Sequence, residues 1–106
     1  MENLEKKMRL SALYDIYKNL LTEKQRKYFE EYYFLDLSLS EVSLNYDVSK
    51  AAVFDQVKKI ENNLEEYESN LHLLEKEMKL EELLSHYDDS DNLEVKKLIE
   101  EIRNLE

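Results

Sequence analysis

The 106-residue sequence predicts an all-α protein built around a helix-turn-helix, on three observations. It contains no Gly and no Pro, so the usual breakers of helices are missing and turns must be made by Asp, Asn and Ser. Two capping boxes, Thr22 with Gln25 and Ser38 with Glu41, mark helix starts. Around them apolar residues recur at helical spacing. The length suits one domain with a modest core.

Leu10, Leu13, Tyr14, Tyr17 and Leu21 define a first amphipathic helix. Thr22 opens a second, whose stripe of Tyr28, Phe29, Tyr32 and Tyr33 has the spacing of a core face and which ends near Leu35–Asp36. The helix from Ser38 carries Leu39, Val42 and Tyr46 and stops at "YDVS". Asp47 is the expected left-handed residue of that turn, because Asp tolerates positive φ better than most residues. Ser49 is the expected N-cap of the next helix, and the small Ala51 and Ala52 suit a close helix crossing.

Beyond Ser49 the residues Val53, Val57, Ile60, Leu64, Tyr67, Leu71, Leu74 and Met78 alternate spacings of four and three, a heptad seam. The pattern predicts one continuous helix of roughly 40 Å, too long for a small core to cover, so its distal part is expected to find a partner in a homodimer. "SHYDDSDN" breaks the pattern, with Asp91 and Glu94 as the expected cap of a short closing helix. That helix presents Val95, Leu98, Ile99, Ile102 and Leu105 on one face. The expected organisation is a helix-turn-helix domain over 1–60 and an acidic helical extension over 61–106, joined as a single structural unit without a flexible linker.

Composition narrows the function. The absence of Cys excludes disulfides, thiol catalysis and Cys-ligated zinc, and suits a reducing compartment. No apolar run approaches the roughly 18 residues of a membrane span, and the charged start lacks a signal-peptide core. A cytoplasmic protein with no membrane insertion is expected. His72 has Glu68 and Glu75 at metal-ligand spacing, but chance produces such neighbours in a chain this rich in Glu. His86 lies among Asp88, Asp89 and Asp91 in a turn, where helix capping explains the carboxylates. No Gly-rich phosphate loop is available. Neither an enzyme, a metal nor a cofactor is expected.

The formal net charge of −10 is unevenly placed. Residues 1–60 hold ten basic and ten acidic side chains, whereas 61–106 hold five and fifteen. The acidity therefore belongs to the C-terminal half, not to the helix-turn-helix. With Val53 and Val57 inward, the candidate DNA-binding set is Ser49, Lys50, Ala51, Phe54, Asp55, Lys58 and Lys59. The lysines suit phosphates, Ala51 a thymine methyl and Asp55 a cytosine amine. Arg26 and Lys27 are further candidates for phosphate. An alternative keeps the helix-turn-helix as a scaffold and gives the acidic C-terminal helices to a basic protein or ribonucleoprotein partner.

The segments "RLSALYDIYKNLLTEKQRKYFEEYYFLDLSLSEV" and "VSKAAVFDQVKKIENNLEEYESNL" closely resemble the YlxM family of small bacterial helix-turn-helix proteins, over about Arg9 to Leu71. "LLTEKQRKYFEEYY" and "LEEYE" are the most specific parts. The resemblance implies a helix-turn-helix similar to region 4 of bacterial sigma factors, with DNA or RNA as ligand. Family genes typically lie beside those of the signal recognition particle. The resemblance therefore also implies a regulatory or accessory role in that pathway, with its components as partners. Relatives commonly carry Arg-Gln where this chain has Lys50 and Ala51, and Lys lacks the planar fork with which Arg grips guanine.

Overall fold

The structure is a computed structural model that describes residues 3–105. Among the described residues there are six α-helices and no strands, so the chain is all-α. They are α1 (Asn3–Tyr17), α2 (Glu23–Phe29), α3 (Leu39–Tyr46), α4 (Lys50–Leu71), α5 (Leu73–His86) and α6 (Leu93–Arg103). A 3₁₀ turn (Lys18–Leu20) follows α1, and a π-helical turn (Glu30–Phe34) extends α2. The chain forms two compact units, Met1–His72 and Leu73–Glu106. Position 60 lies within the unbroken α4.

The first unit is assembled by its caps and aromatics. Both capping boxes form: Thr22 accepts from the Gln25 N–H and Ser38 from the Glu41 N–H, with each N3 side chain returning the bond. Leu10, Leu13, Tyr14, Tyr17 and Leu21 are all buried, as their spacing predicts. Tyr28, Phe29 and Tyr33 are buried too, while Tyr32 stays half-exposed. Tyr14 stacks on Phe29 with ring centroids 4.5 Å apart, and Tyr28 meets Tyr46 at 4.6 Å. In the π-helical turn the Leu35 N–H bonds the Glu30 carbonyl at 3.0 Å. Adjacent Glu30 and Glu31 reach opposite neighbours, Tyr14 of α1 and Tyr46 of α3.

The expected single helix through Met78 is instead two. α4 stops at Leu71 because His72 turns left-handed (φ 55, ψ 31), its N–H bonding the Glu68 carbonyl at 2.8 Å. A residue in that region ends a helix, and His is among the few non-Gly types enriched there. Apolar spacing cannot register the break, since helix flanks it on both sides. The seam is also shorter than expected. Val53, Val57, Ile60 and Leu64 are buried within the first unit, but Leu71 and Met78 are exposed. α1 runs along α4, and two carboxylates, Glu61 and Glu68, take buried places on α4. The Tyr17 hydroxyl donates to Glu68 at 2.6 Å, and Arg9 grips Glu65 through two bonds of 2.7 and 2.8 Å.

The second unit has a thin core in which Leu74, Leu84 and Ile99 are buried. Arg103 bridges Glu81 at 3.0 Å and Asp88 at 3.2 Å. The closing helix is capped by Asn92, not by Asp91 with Glu94: the Asn92 carboxamide accepts from Glu94 and Val95 N–H groups. A side-chain acceptor must sit directly before the first helical residue, and Asn92 holds that position. Of the face read from the sequence, Ile99 is buried and Val95 and Ile102 half-buried, while Leu98 and Leu105 are exposed. No helix among the described residues is long and apolar enough to cross a membrane.

Four phenols bond carboxylates: Tyr14 to Glu30, Tyr17 to Glu68, Tyr33 to Glu61 and Tyr46 to Glu31. Burial first, and then the bond to Glu31, push the Tyr46 phenol up to about 12. Burial and their carboxylate partners raise Tyr14 and Tyr33 above the ordinary phenol value as well. Each folded value exceeds the unfolded one, so the native state holds protons that the unfolded chain releases first. The stabilisation is fully present below pH ~10 and is lost as pH rises through the folded values. Thermal midpoints should hold steady below that pH and then fall, and Tyr46→Phe should make the alkaline slope shallower.

Two substitutions on α4 separate the observed packing from an even heptad seam. Leu64→Ala should cost roughly 2–5 kcal/mol in chemical denaturation, as expected for a fully buried Leu. Leu71→Ala should stay within roughly 0.5 kcal/mol of wild type, as expected for an exposed one. Equal destabilisation at the two positions would contradict this packing.

Candidate nucleic-acid interface

A helix-turn-helix reads nucleic acid only if its second helix is held at a fixed angle with one face bare. The turn here is local chemistry. Asp47 closes α3 in the left-handed region (φ 53, ψ 48), and both its N–H and that of Val48 bond the Ser43 carbonyl. Ser43 is buried, and its hydroxyl donates to the Ser40 carbonyl at 2.7 Å, which leaves no orphaned polar atom where the helices pack. Ser49 then caps α4 by accepting from the Ala52 N–H at 3.0 Å. The C-terminal end of α3 is anchored by Glu31, which takes bonds from the Asn45 carboxamide and the Tyr46 hydroxyl.

With Val42, Val53 and Val57 buried, the outward side of α4 is fixed. Ser49, Lys50, Ala51, Phe54, Asp55, Lys58 and Lys59 are all exposed. Positions 50, 51, 54, 55 and 58 share one helical arc, and Lys59 lies at its margin. Among the described residues no carboxylate pairs with Lys50 or Lys59. Lys58 is differently placed, 3.5 Å from Glu61 and 5.6 Å from the Phe54 ring centroid.

The two other basic candidates are engaged in the fold. The Arg26 guanidinium donates to the carbonyls of Leu21 at 2.8 Å and Lys18 at 3.2 Å, closing the 3₁₀ turn. Lys27 lies 3.9 Å from Glu23 on its own helix. Sequence reasoning missed the cations that do flank α4, namely Lys6, Lys7 and Arg9 of α1. Lys6 lies 3.3 Å from Glu61, and Arg9 is the bidentate partner of Glu65. No local motif could reveal them, because they reach α4 only through tertiary packing.

His72 sits at the helix break rather than within a helical face, and among the described residues no cluster of His, Asp and Glu is arranged to hold a metal. The arrangement turns the N-terminal half of α4 outward with its exposed set bare.

A family model described as "Putative helix-turn-helix protein, YlxM / p13 like" matches residues 4–105. The chain is 44% identical over 110 residues to a UPF0122 protein of Bacillus mycoides (strain KBAB4), covering 97% of this chain and 99% of that one. UPF0122 proteins of Bacillus thuringiensis (strain Al Hakam) and Bacillus anthracis (strain A0248) are similar to the same extent. With the match running the length of the helical fold just described, the chain belongs to the UPF0122 family of YlxM / p13-like helix-turn-helix proteins.

Proposed function

We propose that this protein is a cytoplasmic nucleic-acid-binding regulatory or accessory factor that uses α4 as its recognition helix. One observation carries the reading: a rigidly anchored α3–α4 pair presents a bare arc that bears Lys50 and is flanked by Lys59, neither of them ion-paired among the described residues. Lys50, Lys58 and Lys59 contact phosphates, and Ala51, Phe54 and Asp55 face the bases. The family resemblance is what ties this activity to the signal recognition particle pathway. The excess of carboxylates in the second unit supports a second reading, in which those helices dock a basic protein or ribonucleoprotein.

Selection of bound sequences from random DNA and RNA pools at two salt concentrations tests the first reading. Lys50→Ala with Lys59→Ala should weaken binding to all sequences alike, and should flatten the dependence of log K on log salt by about 0.9 for each phosphate no longer neutralised. Ala51→Gln should instead change which sequences are selected. Unaltered affinity in the double-Ala protein would leave the helix-turn-helix as a scaffold and favour the second reading.

The proposal includes a homodimer. Met78, Leu83 and Leu98 of the second unit are each more than half exposed, beside a core of few residues. Burying a large apolar side chain is worth roughly 1.5–3 kcal/mol, so a second copy has much to gain by covering them. Met78→Lys with Leu83→Lys should convert a sedimenting dimer to monomer without loss of helicity in the first unit. A wild-type protein that sediments as monomer at micromolar concentration removes this part of the reading.

A further inference from the structure

Beside α4 is a cleft of about 270 Å³ whose walls come from α1, the π-helical turn, the start of α3 and α4. Lys6, Lys7, Tyr32, Phe54, Lys58 and Glu61 line it. The base-reading arc of a helix-turn-helix does not require such a feature, and its chemistry is of two kinds.

The first kind is cationic. Glu61 is buried and accepts from the Tyr33 hydroxyl, and one of its oxygens lies 3.3 Å from the Lys6 ammonium and 3.5 Å from that of Lys58. A single fixed carboxylate thus draws together two ammonium groups from different helices. Each ammonium has three N–H donors, and Lys58 keeps donors to spare after engaging Glu61. The cluster of three is positive by one unit. Lys7 lines the same cleft and is paired with Asp36 at 3.0 Å.

The second kind is aromatic. Phe54 is 48% exposed and stands next to Lys58. Tyr32 is half-buried, its ring held edge-on against Tyr33 with centroids 5.1 Å apart. Partly bared rings alternating with lysines are the means by which proteins grip unpaired nucleotides, the rings taking the base face and the cations its phosphate. A base within a duplex is covered on both faces and cannot enter a cleft between helices; an unpaired one can turn out of the stack.

We propose that this cleft holds one unpaired nucleotide adjoining the duplex engaged by α4, with Lys6, Lys7 and Lys58 on its phosphate and Tyr32 and Phe54 against its base. The inference rests on the nucleic-acid-binding reading of α4 and adds the kind of nucleic acid: a duplex with a bulge or a junction with a single strand. Glu61 is a positioning residue that holds the two ammonium groups in place.

The test compares a fully paired duplex with the same duplex carrying one unpaired fluorescent adenine analogue, both at low salt. Wild type should bind the bulged probe about tenfold more tightly and quench the analogue by stacking. Tyr32→Leu should abolish both the preference and the quenching while binding the paired duplex unchanged. Should that variant fold poorly, Lys7→Ala, which leaves Glu61 all its partners, should lower the preference and flatten its salt dependence by about 0.7 for the one ammonium withdrawn from the phosphate. Equal affinity for the two probes, or a preference that survives in both variants, overturns the cleft and leaves the recognition helix standing. Binding to neither probe overturns the nucleic-acid reading and the cleft with it.

Discussion

A buried carboxylate governs the first unit. Removing an ion from water costs several kcal/mol unless partners compensate it, and Glu61 is compensated by the Tyr33 phenol together with Lys6 and Lys58. Those partners come from the π-helical turn, from α1 and from α4 itself, so the residue is satisfied only when all three elements are in place. Glu68 with Tyr17 repeats the device about two turns further along α4. Apolar contacts supply most of the driving force, but they are tolerant of sliding. A phenol and a carboxylate meeting at hydrogen-bond distance are not, and they fix the register of α1 on α4.

The same pairs bear on the polyanionic ligand proposed for this acidic chain. Glu61, Glu65 and Glu68 recur at spacings that place them on one side of α4, and their bonds show that this side faces α1. Lys50, Phe54 and Lys58 continue that same side toward the N-terminus of α4, so the carboxylates and the candidate arc are set apart along the helix axis and not around it. The helix therefore carries its partnered carboxylates in its C-terminal half and Lys50 and Lys59, not ion-paired among the described residues, in its N-terminal half. Net charge, summed over the chain, conceals this sorting.

The sequence shows best what is decided locally. Thr22, Ser38 and Ser49 act on N–H groups within three residues of themselves, and Asp47 is the natural left-handed residue in a chain without Gly, so caps and turn are readable before any packing is known. His72 adopts the same conformation and is not readable, because helical spacing continues on both sides of it. Buried Glu61 and Glu68 are hidden for a different reason. Glu reads as a surface residue unless its partner is known, and Tyr33 and Tyr17 lie 28 and 51 residues away. The outward set on α4 follows directly from Val53 and Val57. The engagement of Lys58 by Glu61, and the approach of Lys6 and Lys7, belong to tertiary structure and leave no trace in spacing.

The chain has eight tyrosines and no tryptophan, so its emission comes from phenols alone. A phenol is a far stronger acid in its excited state, and one already bonded to a carboxylate can hand over its proton within the lifetime of that state. The pairs at Glu30, Glu31, Glu61 and Glu68 place that acceptor in the native molecule, so a tyrosinate-like band at neutral pH is the expected mark of the folded chain and not of an unfolded one with its phenols in water. The contacts that lock the helices in register are also an intrinsic optical label, attached to the packed core and extinguished when it opens.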